Sequence, residues 1–318
     1  MKVIDNLKNV DKTQFSFEIL PPLKGHTINS IYDTIDPLME FKPININVTY
    51  HQEETVYKRH KSGLLEKKTV WKRPGTVAIS AAIRYKYLNV TIVPHIICGG
   101  FSKEETENAL IDLHFLGMNN ILALRGDPPK SQRTFIAEEG GHEHTTGLIQ
   151  QIIDMNNGMY LDEELQYTEA TDFCIGIAGY PEKHVEAPNL ETDMKFLKEK
   201  IDKGAEYIVT QMFFDNSKYL SFVENCKKAG INVPIIPGIK PLRNLNDFKM
   251  LPMVFNISFP QELVSEIEKC KNDNEIKNVG IEWSIMQAKQ LVENKVPAIH
   301  FFTIGKADNV YEIAKKVF

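Results

Sequence analysis

The feature that most constrains the fold is an alternation: short runs rich in β-branched and apolar residues are separated, along nearly the whole chain, by longer amphipathic stretches. The strand-like runs are residues 14–20, 44–49, 94–98, 120–124, 173–178, 207–211, 234–239 and 298–303. They number about eight, the count that closes a parallel barrel. Helix-like stretches lie between them, among them residues 103–116, 190–203, 216–229 and 276–294, with Gly117, Gly204 and Gly230 as C-terminal caps. Strand followed by helix, repeated, implies parallel βαβ units with the helices outside. The expected fold is therefore an α/β (β/α)8 TIM barrel, a single domain spanning residues 1–318. An open doubly wound sheet is the alternative, but neither G-x-G-x-x-G nor G-x-x-x-x-G-K-[ST] is present to furnish its phosphate loop.

Two stretches strain this pattern. Pro94 lacks an N–H and is expected only as the first residue of its strand or outside it, which makes the third strand short. Residues 52–82 carry no strand signal. Their basic residues, Lys58, Arg59, His60, Lys61, Lys67, Lys68, Lys72 and Arg73, precede the Pro74-Gly75 turn and read as a solvated helix face and loop. Attraction of an anionic substrate or cofactor is the second reading of that run.

Composition narrows the function classes. A chain of 318 residues, 42% hydrophobic and 25% charged, is long enough for one large core. A net charge of −5 and a pI near 6.0 argue against a nucleic-acid partner. Residues 1–12 carry Lys2, Asp5, Lys8, Asp11 and Lys12 without an apolar core, and no apolar run is long enough to cross a bilayer. A cytoplasmic protein without a membrane partner is expected. Cys98, Cys174, Cys226 and Cys270 are far apart and form no C-x-x-C pair, which fits reduced core thiols. His142-Glu143-His144 matches no usual zinc spacing and reads as a solvated loop, so no metal is expected.

The run Phe15-Ser16-Phe17-Glu18-Ile19-Leu20-Pro21-Pro22 places one carboxyl group in an apolar strand and ends it with two prolines, which cannot continue a ladder. Burial disfavours the charged form of a carboxyl group, and a glutamic acid still protonated near neutral pH can donate a proton. Glu18 is thus either a proton donor or a structural ion-pair partner. In a barrel, catalytic groups gather where strands end. Those positions hold Glu18, Thr49, Tyr50, His95, Arg125, Gly126, Asp127, Tyr180, Glu182, His184, Thr210, Gln211, His300 and Thr303. Each has a bland reading: hydroxyls satisfied by backbone for Thr49 and Thr210, satisfied core histidines for His95 and His300, a local ion pair for Arg125 and Asp127. Together they suit a large, polar, partly anionic ligand.

The ordered set F-S-F-E-I-L-P-P, N-V-T-Y, P-H-I-I-C, N-I-L-A-L-R-G-D-P-P, G-Y-P-E-K-H, G-A-E-Y-I-V-T-Q-M-F-F-D, I-I-P-G-I-K-P and H-F-F-T resembles the methylenetetrahydrofolate reductases over nearly the whole chain. The resemblance implies a barrel that binds FAD, takes hydride from NADH or NADPH, and reduces 5,10-methylenetetrahydrofolate to 5-methyltetrahydrofolate for methionine synthesis. It implies Glu18 as the general acid toward N10 of the folate, and Asp127 as the carboxylate beside flavin and folate. Gln211 would contact whichever of nicotinamide or pterin is stacked on the flavin, so that one face serves both in turn and kinetics are ping-pong. It also implies Thr49, His95, Arg125, Gly126, Asp127, Tyr180, His184, Ala187, Asp193 and Lys200 as cofactor-binding residues. Asp193 and Lys200 lie two turns apart on one helix face.

Three departures bear on this resemblance. Phe302 stands where many members have tyrosine, and Gly305-Lys306 replaces an asparagine-arginine pair, so Phe302 and Lys306 are the candidate substrate contacts of the last loop. The loop 130–147 differs as well, and brings Thr145 and Thr146 near the stretch that contacts the flavin's ribityl and phosphate groups. The regulatory domain of larger eukaryotic members is not expected. Alternatives are another barrel flavin oxidoreductase, proline dehydrogenase-like, and a non-catalytic flavin- or folate-binding barrel. The choice between NADH and NADPH, and whether the chain forms a homo-oligomer, stay open.

Overall fold

In chain order the strands are β1 (Gln14–Ile19), β2 (Asn45–Val48), β3 (Glu54–Arg59), β4 (Leu65–Val70), β5 (Thr91–Ile97), β6 (Asn120–Leu124), β7 (Cys174–Gly179), β8 (Tyr207–Met212), β9 (Ile235–Ile239) and β10 (Ala298–Phe302). All but β3 and β4 pair in parallel and close on themselves, β10 lying against β1, to form a barrel. This is the expected (β/α)8 architecture. The computed structural model describes residues 1–8, 12–128 and 134–318; Asp11, Pro129 and Lys130, named above, lie outside them.

The helices are α1 (Val3–Lys8), α2 (Asn29–Ile35), α3 (Thr76–Lys86), α4 (Lys103–Phe115), α5 (Thr145–Asn156), α6 (Leu190–Asp202), α7 (Asn216–Lys228), α8 (Leu245–Phe255), α9 (Gln261–Lys269), α10 (Asp273–Glu293) and α11 (Asp308–Val317). Local chemistry sets their ends. Ser102 and Glu105 form a reciprocal capping box at the start of α4, and Asn189, Asp215, Asn244 and Asn272 cap α6, α7, α8 and α10 through their side chains.

Strand pleating sorts the side chains into two cores. On β1, Phe15, Phe17 and Ile19 face outward and join the apolar layer between strands and helices, while Ser16 and Glu18 face the lumen, where they meet His300. A second apolar cluster fills the lumen's lower end: Val93, Leu122, Cys174, Tyr207, Val209, Ile236 and Ala298, together with Val3 and Leu7 of α1. α1 therefore plugs the barrel beneath the strands' N-terminal ends, held by the Val3 N–H donating to Asn120 Oδ1 at 2.8 Å.

Seven barrel strands agree with the sequence expectation to within one residue at either end; the third does not. β5 begins at Thr91, so Pro94 is internal and His95 lies within the strand. The proline is tolerated because it falls between two ladders: pairing to β2 ends at Val48↔Pro94 and pairing to β6 begins at His95↔Leu122. The second correction concerns the basic run. It forms the antiparallel hairpin β3–β4 outside the barrel, and only from Thr76 does helix α3 begin. Its β-branched residues suit a strand, and Gly63, at φ +85°, makes the turn. Cys98, Cys174 and Cys226 are buried thiols as expected, whereas Cys270, just past α9, is partly exposed.

Candidate active site

The polar residues of the lumen gather on β1, β2, β5 and β10, above the apolar plug. Glu18 keeps only 15% of its side chain exposed, and its Oε2 lies 3.8 Å from His300 Nε2. Ser16, one pleat earlier on the same face, accepts from His300 Nδ1 at 3.0 Å while its own hydroxyl donates to the Ile299 carbonyl at 3.4 Å. Nδ1 of His300 thus faces Ser16 and Nε2 faces Glu18. His300 Nε2 has no hydrogen-bond partner among the described residues, so His300 is not the fully satisfied core histidine of the bland reading.

His95 is held from the other side. Its Nε2 lies 3.3 Å from Asn47 Nδ2, and Asn47 Oδ1 accepts from Asn45 at 2.6 Å. Burial pushes the His95 imidazole down to about 4, against the opposing pull of Glu18, so it is neutral at physiological pH. The charges of Glu18 and Asp127 both reach His51, whose imidazole is lowered first by desolvation and then by Arg73. Thr303 donates to the Glu18 carbonyl at 2.6 Å and ties the ends of β10 and β1 together.

The two threonines part company. Thr210 accepts from the Gly238 N–H at 3.0 Å and is satisfied within the protein, whereas Thr49 Oγ1 is buried without a partner among the described residues. Arg125 pairs with Glu186 at 2.6 Å and lies 5.0 Å from the centre of the Phe135 ring; among the described residues it does not pair with Asp127, which corrects that expectation. Gly126 turns the chain after β6 with φ +87°, and a Cβ there would sit 3.1 Å from Ile97. Asp127 is exposed at the mouth, its carbonyl accepting from Gln52 at 2.8 Å. Gln211 Oε1 accepts from the Met212 N–H at 2.9 Å, and among the described residues its amide N–H groups have no acceptor.

A cavity of about 800 Å³ opens beside the end of β7, walled by α6 and α7 and lined by Tyr180, Asp193, Met194 and Lys200 among others. Asp193 accepts from the His184 N–H at 2.8 Å, Tyr180 and His184 meet edge to face at 4.6 Å, and Ala187 is buried against them. Burial lowers the Lys200 ammonium and raises the Tyr180 hydroxyl. Thr145 is buried in the first turn of α5 and Thr146 is half-buried beside it. Phe302 packs edge to face on His300 at 5.5 Å, and Lys306 is exposed at the rim of a smaller hollow shared with Lys240, Arg243 and Asn309.

His142 departs from expectation: it is buried, 2.5 Å from Gln151, because Gly147 leaves room for its ring. Among the described residues no three His, Cys, Asp or Glu side chains gather as a metal site. Several members of the site escaped sequence reasoning: Ser16, Asn45, Asn47, Glu186 and Gln52. The first three did leave a signal, since S-F-E and N-I-N place polar residues at alternate positions of runs read as wholly buried.

A family model described as methylenetetrahydrofolate reductase matches residues 3–317. The chain belongs to the methylenetetrahydrofolate reductase family. Among its relatives are methylenetetrahydrofolate reductase (NADH) 1 of Arabidopsis thaliana, 32% identical over 96% of this chain but 49% of the relative. The 5,10-methylenetetrahydrofolate reductase of Buchnera aphidicola is 30% identical, covering 98% of this chain and 94% of the relative. The chain thus spans about half the length of the plant member and nearly all of the bacterial one. A solved structure described as an uncharacterized protein from Clostridium thermocellum that binds two copies of 5-methyl-5,6,7,8-tetrahydrofolic acid superposes with a TM-score of 0.59 at 15% identity, covering 98% of this chain and 96% of that one, a likeness of fold.

Proposed function

We propose that this chain reduces 5,10-methylenetetrahydrofolate to 5-methyltetrahydrofolate, with NADH or NADPH as hydride donor and FAD as the bound carrier, acting as a single catalytic domain in the cytoplasm. The observation that carries the reading is Glu18: a carboxyl group in a largely enclosed lumen, within 4 Å of an imidazole nitrogen, in a chain of this family.

The residues present suit FAD. Thr49 offers a buried hydroxyl without a protein partner among the described residues, and Gly126 allows close approach of the backbone after β6. Thr49, His95, Arg125, Gly126, Asp127, Thr145, Tyr180, His184, Ala187, Asp193 and Lys200 would hold it. When bound, it supplies two-electron transfer between nicotinamide and folate.

Toward the folate, protonated Glu18 donates to N10 and the five-membered ring opens to an iminium at N5. His300 Nε2 stands 3.8 Å from the Glu18 carboxyl, its ring held from the other side by Ser16. Asp127 sets a negative charge beside the cationic iminium. The free amide N–H groups of Gln211 suit a carbonyl or ring nitrogen of either substrate, consistent with one face used alternately and ping-pong kinetics. Phe302 and Lys306 line the folate side.

The test is anaerobic half-reaction kinetics on the purified chain. A yellow protein bleached by NADH or NADPH and restored by methylenetetrahydrofolate is expected. Failure to bind FAD would overturn the reading, and reduction by proline without reoxidation by the folate would favour the proline dehydrogenase-like alternative.

A further inference from the structure

The chain leaves the barrel ladder before it reaches Asp127. Cys98 and Gly99 donate their N–H groups to the Leu124 and Arg125 carbonyls, both at 3.1 Å, and these are the last backbone bonds between the ends of β5 and β6 among the described residues. Gly126 then turns the chain at φ +87°, and Pro128 follows Asp127 with no N–H to donate. Asp127 is exposed at the mouth, so the sheet does not by itself fix the direction of its carboxylate.

The anchor comes from outside the barrel. Gln52, which leads into β3, donates from Nε2 to the Asp127 carbonyl at 2.8 Å, and this is the one hydrogen bond of Asp127 among the described residues. The glutamine reaches it by lying across the turn at the end of β5. A Cβ on Gly99 would meet Gln52 Oε1 at 2.5 Å and Phe135 Cε2 at 3.3 Å, and one on Gly100 would meet Gln52 Cβ at 3.3 Å. Two successive glycines therefore make room for this side chain.

Gln52 is held in turn by the segments around it. On one side the Thr49 N–H donates to the Ile19 carbonyl at 3.1 Å, and the Thr76 hydroxyl donates to the Thr49 carbonyl at 3.0 Å. On the other, beyond β4, Arg73 donates to the Pro21 carbonyl and the Lys24 N–H donates to the Lys72 carbonyl at 2.8 Å. Both ends of the hairpin segment are thus tied to the chain that carries or follows Glu18, and its Gln52 crosses to the turn that carries Asp127. The Asp127 charge reaches His51 after β2 and Tyr180 after β7, which places the carboxylate among groups of the mouth.

We propose that Gln52 is a positioning residue for Asp127: by holding the Asp127 carbonyl it fixes the turn after β6, and with it the direction in which the carboxylate faces the flavin and the folate iminium. The proposal rests on the role given to Asp127 above. A carboxylate stabilises a developing cation best where its position is set in advance, and a displacement of about 1 Å can cost on the order of 100-fold in rate. The β3–β4 hairpin, which closes no part of the barrel, is then the brace between the two carboxyl-bearing strand ends.

The test uses anaerobic half-reactions and the flavin midpoint potential of the whole chain with FAD bound. Gln52→Met keeps the length of the side chain and removes its donor. It should slow the folate half-reaction about ten-fold and raise the flavin potential, in the direction of Asp127→Asn but by less, while reduction by the nicotinamide stays within about two-fold. Gly99→Ala, whose methyl displaces the Gln52 amide, should do the same. In an Asp127→Asn background, adding Gln52→Met should change the folate half-reaction by less than about two-fold, since no carboxylate is left to aim. Native rates and potential in both single variants overturn the proposal and leave the folate reading intact. So does a Gln52→Met effect that multiplies undiminished with Asp127→Asn, or one that falls equally on both half-reactions, since each marks a general loss of structure. Absence of folate reduction by the native chain defeats the folate reading itself.

Discussion

The floor of the lumen and its upper wall are built by the same pleated strands, yet their inward positions carry opposite chemistry. The floor, from Val93 through Leu122, Tyr207 and Ile236 to α1, is apolar and closed. The wall, with Ser16, Glu18, Asn45, Asn47, Thr49, His95 and His300, is polar and incompletely satisfied: Asn45 Oδ1, Thr49 Oγ1 and His300 Nε2 lack hydrogen-bond partners among the described residues. An unpaired buried polar atom costs about 1–3 kcal/mol. The wall thus gives up stability that the floor and the outer apolar layer must supply, which is the pattern of a binding site seated on a structural base.

Four measurements would break or sharpen that contrast. The largest effect is expected from Glu18→Gln, which should slow the folate half-reaction by roughly 100-fold to 10,000-fold while leaving reduction by the nicotinamide nearly unchanged. Equal loss in both half-reactions, followed by stopped-flow absorbance, would make Glu18 a structural residue like those of the floor. On the floor, Leu122→Ala should lower unfolding stability by about 2–5 kcal/mol in a denaturant titration. The protein that still folds should keep its folate half-reaction rate, and a specific loss of that rate would mean the floor is not merely structural.

The third effect is a pH dependence. His95 titrates near 4 in the folded chain, against an ordinary value of 6.5, so the unfolded chain binds the extra proton between those values. The stability supplied by neutral His95 is complete above pH 6.5 and is lost as pH falls toward 4, about 3 kcal/mol in all. His51, His142 and His184, also lowered by burial, act in the same direction. Urea midpoints of the native chain and of His95→Gln, compared from pH 7 to pH 5, should show the shallower slope in the variant. The smallest change is expected from Tyr207→Phe. Its hydroxyl is buried in the floor without a partner among the described residues, so the variant should gain about 1 kcal/mol with catalysis untouched.

Much of this was legible in the residues. The eight barrel strands could be read because buried parallel strands are short apolar runs bounded by turn residues, and Glu18 stood out as a carboxyl group within one of them. The hairpin could not, since its lysines mask the β-branched positions that pair across it. Pro94 misled for a different reason: whether a missing N–H matters depends on which neighbour the strand has at that position, and neighbours come from distant parts of the chain. The site shows the same division. That Glu18, Asp127 and Gln211 lie at strand ends follows from position along the chain; that Arg125 pairs with Glu186 follows only from packing.

The sequence by itself determined the barrel, its family and the polar residues available at the strand ends, because periodicity and motif are local properties of the chain. Tertiary structure alone decided which of those groups are satisfied. Thr210 finds the Gly238 N–H while Thr49 finds no partner among the described residues, His300 turns one nitrogen to Ser16 and the other to Glu18, and the basic hairpin is anchored at Pro21 and at Asp127. Hydrogen bonds and charges act over a few ångströms between residues up to 285 positions apart, and only closure of the barrel brings them within that range.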